Sequence, residues 1–75
     1  MSFDGFTEVG SQSSHVTAAK YDSFDRKLTI RFRNGSEYTY HGVTPQDHQN
    51  FMDASSHGEH FHRFIKDQYP SEQVK

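Results

Sequence analysis

Residues 21–58 read YDSFDRKLTIRFRNGSEYTYHGVTPQDHQNFMDASSHG, and the patterns in this stretch decide the fold. Leu28, Ile30 and Phe32 alternate with polar residues and are followed by an Asn-Gly pair, which predicts a strand entering a hairpin turn. Residues 36–43 are predicted to return as the partner strand, and residues 14–21, SHVTAAKY, are predicted to form the strand before the hairpin.

Two helix starts follow the predicted strands. Thr44 can cap a first helix, with Pro45 at the first helical position. Ser56 and Glu59 have the spacing of a capping box for a second helix, which Pro70 would end.

The second helix is expected to turn one side inward, since apolar and aromatic side chains recur there at helical spacing. The positions on that side are Phe61, Phe64, Ile65, Gln68 and Tyr69. The predicted fold class is therefore α+β, with a three-stranded antiparallel β-meander followed by two α-helices packed on one face of the sheet.

The length of the hairpin loop decides which side chains share a face of the sheet. A two-residue turn would pair Arg31 with Tyr38 and place Glu37 on the apolar face. A three-residue loop with Gly35 in the left-handed region pairs Arg31 with Glu37 instead. The other pairs of that register are Thr29 with Thr39, Ile30 with Tyr38 and Leu28 with Tyr40. We expect the three-residue loop, because it keeps the carboxylate out of the core and forms cross-strand pairs worth about 0.2–1 kcal/mol each. It places Tyr38 and Tyr40 beneath the helices.

The chain is 75 residues long and contains no cysteine, so it forms one small domain without disulfides or thiolate zinc sites. It contains no apolar run of the roughly 20 residues that a membrane helix needs, and its N-terminus lacks the pattern of a secretory signal. A cytoplasmic location is expected. Residues 1–12 are expected to be a flexible arm, residues 13–70 the domain and residues 71–75 a tail.

Basic side chains are concentrated in one segment, although the net charge is −2. Residues 20–33 hold five basic and two acidic side chains, whereas the rest of the chain holds three and eight. A mildly basic sheet face could contact nucleic-acid phosphates or a protein partner. The candidate residues for this contact are Lys20, Lys27, Arg31, Arg33 and His41.

Catalytic and metal-binding patterns are weak. No motif positions a nucleophile beside a base, and so small a domain has little concave volume. The HGEHFH segment, residues 57–62, has no zinc-protease spacing, and on a helix His62 points away from His57 and His60. We therefore expect no catalytic residues, no metal site and no cofactor.

An ordered set of residues resembles the KTSC domain family, which is named for its occurrence at the C-terminus of some lysyl-tRNA synthetases. The set comprises Tyr21, Asp22, Leu28, Ile30, Phe32, Gly35, Tyr38, Thr39, Tyr40, Val43, Ala54, Ser56, Gly58, Phe61, Ile65, Tyr69 and Pro70. Thr44, His57, His60 and His62 depart from the family pattern.

The resemblance implies a non-catalytic binding module from a bacterium or phage, and it suggests RNA as the ligand. The residues Tyr38, Tyr40, Ser56 and Gly58 then belong to the family motif and are expected to be mainly structural. The alternative is a protein-interaction or self-associating regulatory module.

Overall fold

The computed structural model describes residues 5–9 and 15–75. Its strands are β1 (Thr7–Glu8), β2 (Val16–Asp22), β3 (Lys27–Phe32), β4 (Glu37–His41) and β5 (Ser71–Gln73). Helix α1 (Pro45–Asp53) is followed by α2 (His57–His60), which continues directly into a π-helix (Phe61–Ile65). All neighbouring strands are antiparallel, in the order β1-β2-β3-β4-β5. The predicted α+β fold class is confirmed.

The register of the central hairpin is the predicted one. Arg31 lies opposite Glu37, and the remaining pairs are Leu28 with Tyr40, Thr29 with Thr39 and Ile30 with Tyr38. Phe32 N–H donates to the Ser36 carbonyl (2.9 Å), which closes a three-residue loop. Gly35 has a φ of +92°, a left-handed conformation that a glycine adopts without steric cost.

One face of the sheet carries the hydrophobic core. Leu28 and Ile30 from β3 are fully buried against Phe51 of α1 and Ile65 of the π-helix. Tyr40 is only 4% exposed, as predicted, whereas Tyr38 is half-buried at the edge of the core. The prediction that both rings lie beneath the helices therefore holds for Tyr40 and only partly for Tyr38.

Both predicted helix caps form. Thr44 Oγ1 accepts a hydrogen bond from Asp47 N–H (3.1 Å), and Ser56 Oγ accepts one from Glu59 N–H (3.4 Å). The Tyr69 hydroxyl donates to the Asp47 carboxylate, which ties the end of the helical region back to α1.

The π-helix changes which side chains are buried. Lys66 N–H donates to the Phe61 carbonyl (2.8 Å), the five-residue spacing of a π-helix. Because the turn is wider than that of an α-helix, Phe61 and Ile65 stay on the buried side while Phe64 is 54% exposed. The expectation that Phe64 faces inward, which assumed α-helical spacing, is therefore wrong.

The sheet has five strands, whereas the sequence pattern predicts three. Strand β1 falls within the segment expected to be an arm, and β5 falls within the segment expected to be a tail. Backbone hydrogen bonds to β4 hold the chain just before and just after β5. His41 N–H donates to the Pro70 carbonyl (2.9 Å), and Glu37 N–H donates to the Lys75 carbonyl (3.0 Å).

Candidate functional site

Most of the predicted basic residues lie on the sheet face opposite the helices, which we call the open face. Lys20 pairs with Thr29, Lys27 with His41, and Arg31 with Glu37. These positions alternate along their strands with the residues that enter the core, so their side chains share the other face. The structure thus brings Lys20, Lys27, Arg31 and His41 onto one surface.

Acidic side chains match part of the positive charge on the open face. Arg31 Nε lies 3.1 Å from Glu37 Oε2, and Lys75 Nζ lies 3.9 Å from the same oxygen. His41 Nε2 lies 3.3 Å from Glu72 Oε1 on β5. The acids beside Arg31, Lys75 and His41 weaken the positive field of this part of the open face, which lowers its attraction for a polyanion.

An aromatic ring on the open face is in contact with basic side chains. Phe6 lies beneath two cations, with its ring centroid 4.0 Å from Arg31 Cζ and 4.8 Å from Lys20 Nζ. These are cation–π distances. Beside this cluster, the hydroxyls of Thr29 and Thr39 share a hydrogen bond of 2.9 Å. On the open face, Phe6 is therefore half-buried and already in contact with two cations.

Arg33 lies elsewhere, in the β3–β4 loop, where its backbone N–H donates to the His15 carbonyl (2.8 Å). It borders an open groove of about 1070 Å³ between this loop and the helical segment 57–67. We call this the hairpin groove.

Aromatic side chains form the walls of the hairpin groove. The ring of Phe32 meets the ring of Tyr38 edge-on at 5.6 Å and the ring of Phe61 at 5.4 Å. The ring of Tyr40 also contacts the ring of Phe61, with 5.3 Å between the two ring centroids. Phe32 and Tyr38 are only half-buried, so part of each ring faces the groove.

Basic side chains line the rim. Arg33 and Lys66 are both exposed and stand on opposite sides of the groove, one on the loop and the other just after the π-helix. His15 and His62 also line it. The arrangement combines half-buried ring surface with positive charge.

Polar groups gather at the Tyr40 end of the groove. Burial raises the pKa of the Tyr40 hydroxyl to about 12, with the neighbouring Tyr38 adding to the shift. A hydrogen bond from the Ser71 side chain offsets part of this rise, and the nearby Asp67 carboxylate adds a smaller upward contribution. Tyr40 therefore stays neutral at physiological pH and can donate or accept a hydrogen bond.

The family-motif residues divide between two roles. Tyr38, Tyr40 and Gly58 line the hairpin groove, whereas Ser56 caps α2. Lys66, Asp67 and Ser71 were not among the residues predicted from the sequence, because no local pattern distinguishes them. The fold brings them to the same groove as Arg33.

The histidines of residues 57–62 are spread over different surroundings. His57 Nε2 lies 3.2 Å from the Met52 carbonyl oxygen, and the rings of His57 and His60 pack on Phe51 at 5.4 and 6.1 Å. His62 instead borders the groove. Within residues 5–9 and 15–75, no three His, Asp or Glu side chains come together in a metal-binding group.

None of the helices in the described part of the chain has the length and apolar character needed to cross a bilayer.

Together, the sheet, the helical layer and the hairpin groove define a small α+β domain with a surface groove. The model of the KTSC domain matches residues 12–69, and the chain belongs to this family. A crystal structure of a KTSC domain protein from Yersinia pestis superposes with a TM-score of 0.82 and 34% sequence identity, covering 93% of this chain and 99% of that one.

Relatives in two size classes resemble the chain. A lysine–tRNA ligase of Nostoc punctiforme is 35% identical over 69 residues, which is 92% of this chain but 12% of the ligase. A protein of Stutzerimonas stutzeri is 34% identical over 61 residues, covering 81% of this chain and 86% of that protein. The chain thus spans about an eighth of the ligase and most of the smaller relative.

Proposed function

We propose that this KTSC domain is a non-catalytic module that binds single-stranded RNA in the hairpin groove. The observation that carries the proposal is the placement of half-buried aromatic rings, Phe32 and Tyr38, between the exposed cations Arg33 and Lys66. Proteins bind single strands by stacking bases on such rings while nearby cations hold the phosphates. We place this activity in the cytoplasm.

The relatives support RNA as the ligand. The name lysine–tRNA ligase links proteins that contain a similar segment to an RNA. The charge on the groove is modest, so the proposal implies moderate affinity that falls as salt rises.

The groove and the open face can be separated by paired charge reversals. Arg33→Glu with Lys66→Glu alters the groove, and Lys20→Glu with Lys27→Glu makes the same change in net charge on the open face. Fluorescence anisotropy with a labelled mixed-sequence single-stranded RNA measures both pairs at low salt. We expect the groove pair to weaken binding about tenfold or more and the open-face pair about twofold, since only the former removes phosphate contacts.

Two results would count against this proposal. If the anisotropy of the labelled RNA does not change when wild-type protein is added to micromolar concentration, the protein does not bind this RNA and the proposal is refuted. A larger loss from the open-face pair would move the interface to the surface that carries Lys20, Lys27, Arg31 and His41, which is the surface predicted from sequence.

Self-association is the second candidate function. Phe24 lies in the turn between β2 and β3 and is 93% exposed, so its ring is available to a second copy of the chain. Light scattering over a range of concentrations tests this candidate. A dimer that Phe24→Ser converts to monomer would support it, and a wild-type monomer at high concentration would refute it.

A further inference from the structure

The hairpin groove contains an acid that phosphate binding does not explain. Asp67 is the sole acidic side chain among the described residues that line it. Asp67 lines the same groove as Tyr40 and Ser71, and its negative charge adds to the rise in the pKa of the Tyr40 hydroxyl. A carboxylate repels phosphate, so its position fits a part of the ligand that donates hydrogen bonds.

The bases of RNA differ in what they can donate to a carboxylate. Guanine presents two adjacent donors on its pairing edge, N1–H and N2–H, which match the two oxygens of a carboxylate. Adenine and cytosine present one amino group beside an acceptor, and uracil presents one N–H between two carbonyls. A carboxylate that accepts two parallel bonds is bound more strongly and more selectively than one that accepts a single bond.

The walls of the groove suit a flat ring next to this carboxylate. Phe32 and Tyr38 offer half-buried ring surface, and the side chains of Tyr40 and Ser71 line the groove together with Asp67. The cations Arg33 and Lys66 stand at the rim, where the sugar–phosphate backbone on either side of an inserted base would run.

We propose that the hairpin groove takes up one unpaired guanine of a single-stranded RNA, with the Asp67 carboxylate accepting hydrogen bonds from N1–H and N2–H. The guanine ring packs against Phe32 and Tyr38, and Arg33 and Lys66 hold the flanking phosphates. This inference rests on the proposed RNA-binding function and specifies the ligand of the same groove.

The test uses short uridine-rich RNAs that differ at one central position. That position holds guanosine, inosine, adenosine or uridine. Inosine keeps N1–H and lacks the N2 amino group. In fluorescence anisotropy we expect the guanosine RNA to bind about tenfold more tightly than the inosine RNA, because inosine loses one of the two hydrogen bonds. The difference between the guanosine RNA and the uridine RNA should be larger. This comparison uses the wild-type protein and depends on no variant.

The variant Asp67→Asn identifies the residue that selects guanine. Loss of the negative charge should leave binding of the uridine RNA equal or tighter while the preference for guanosine disappears. Asp53→Asn, on the exposed surface of α1, removes the same charge away from the groove and should keep the preference.

Each outcome separates the two proposals. Equal binding of all four RNAs overturns the guanine inference and leaves the RNA-binding function standing. A guanosine preference that persists in Asp67→Asn also overturns the inference, because another residue then selects the base. Absence of binding to every RNA overturns both.

Discussion

Arg31 and Glu37 face each other across the β3–β4 hairpin, with Nε and Oε2 3.1 Å apart. This pair is specific to the observed register of the hairpin, because shifting β4 by one residue against β3 would turn Glu37 toward the core. The same register puts Tyr40 under the π-helix and leaves Tyr38 and Phe32 at the mouth of the hairpin groove. The candidate site thus depends on the loop at residues 33–35.

Gly35 is the residue whose conformation holds this loop. Gly35→Ala is expected to lower the free energy of unfolding by about 1–2 kcal/mol, because a β-carbon disfavours the left-handed backbone. The φ is +92° and a β-carbon would meet no atom within 4 Å, so the cost comes from the backbone alone. Gly35→Asn should cost less, since asparagine tolerates this region. Urea denaturation measures both, and equal stability of Gly35→Ala and wild type would contradict the prediction.

Thr29 and Thr39 form a hydrogen-bonded pair in which each residue is only 8% exposed. Thr29→Val leaves the Thr39 hydroxyl without this partner, and we expect a loss of about 1–3 kcal/mol. The double variant, with Thr39→Val added, should lose less than the sum of the two single changes, since neither hydroxyl is then left unpaired. A double-mutant cycle by chemical denaturation gives the coupling. Additive losses would show that the two hydroxyls do not depend on each other.

Alkaline pH is expected to destabilise the fold through Tyr40. Its pKa is raised from 10.0 to about 12, chiefly by burial. Between these values the unfolded chain ionises while the folded chain does not. Keeping Tyr40 neutral therefore contributes to the free energy of unfolding in full below pH 10. This contribution, on the order of 3 kcal/mol, is lost as pH rises to about 12. Unfolding curves across this range should be less pH-dependent in Tyr40→Phe than in wild type. Equal pH dependence of the two proteins would exclude Tyr40 as a source.

Acidic pH is expected to lower the stability of the fold through protonation of His48. Its ring stacks on Tyr21 with centroids 4.2 Å apart, and burial lowers its pKa below the ordinary value of 6.5. As pH falls, the unfolded state takes up the proton before the folded state does. The contribution of neutral His48 to stability is therefore full above pH 6.5 and falls as pH drops toward the pKa of the folded state. NMR titration of the histidine ring signals should show His48 titrating below pH 6.5. A transition above that value would contradict the prediction.

The hairpin could be predicted in detail because its information is local. The alternation in β3 and the Asn34-Gly35 pair located the turn, and the unfavourable burial of Glu37 favoured the three-residue loop over the two-residue one, which is the register observed. Both helix caps were likewise predictable, since Thr44 and Ser56 act on backbone groups three residues away.

The edge strands and the π-helix could not be predicted in the same way. Strand β5 is short and wholly exposed, and backbone hydrogen bonds to β4 hold it, so it carries no apolar alternation. The π-helix has a composition like that of an α-helix, and its wider turn arises in the packed structure. The hairpin groove joins Arg33 to Lys66, residues that are distant in sequence.

The central claim is that RNA binds at the hairpin groove and leaves the open face unoccupied. The most direct measurement is a titration of ¹⁵N-labelled protein with a single-stranded RNA, followed by backbone amide chemical shifts. We predict that the largest shift changes cluster at Arg33, Tyr38 and Lys66 and that Lys20 and Lys27 change little. Changes concentrated at Lys20 and Lys27, or no changes at saturating RNA, would contradict the account.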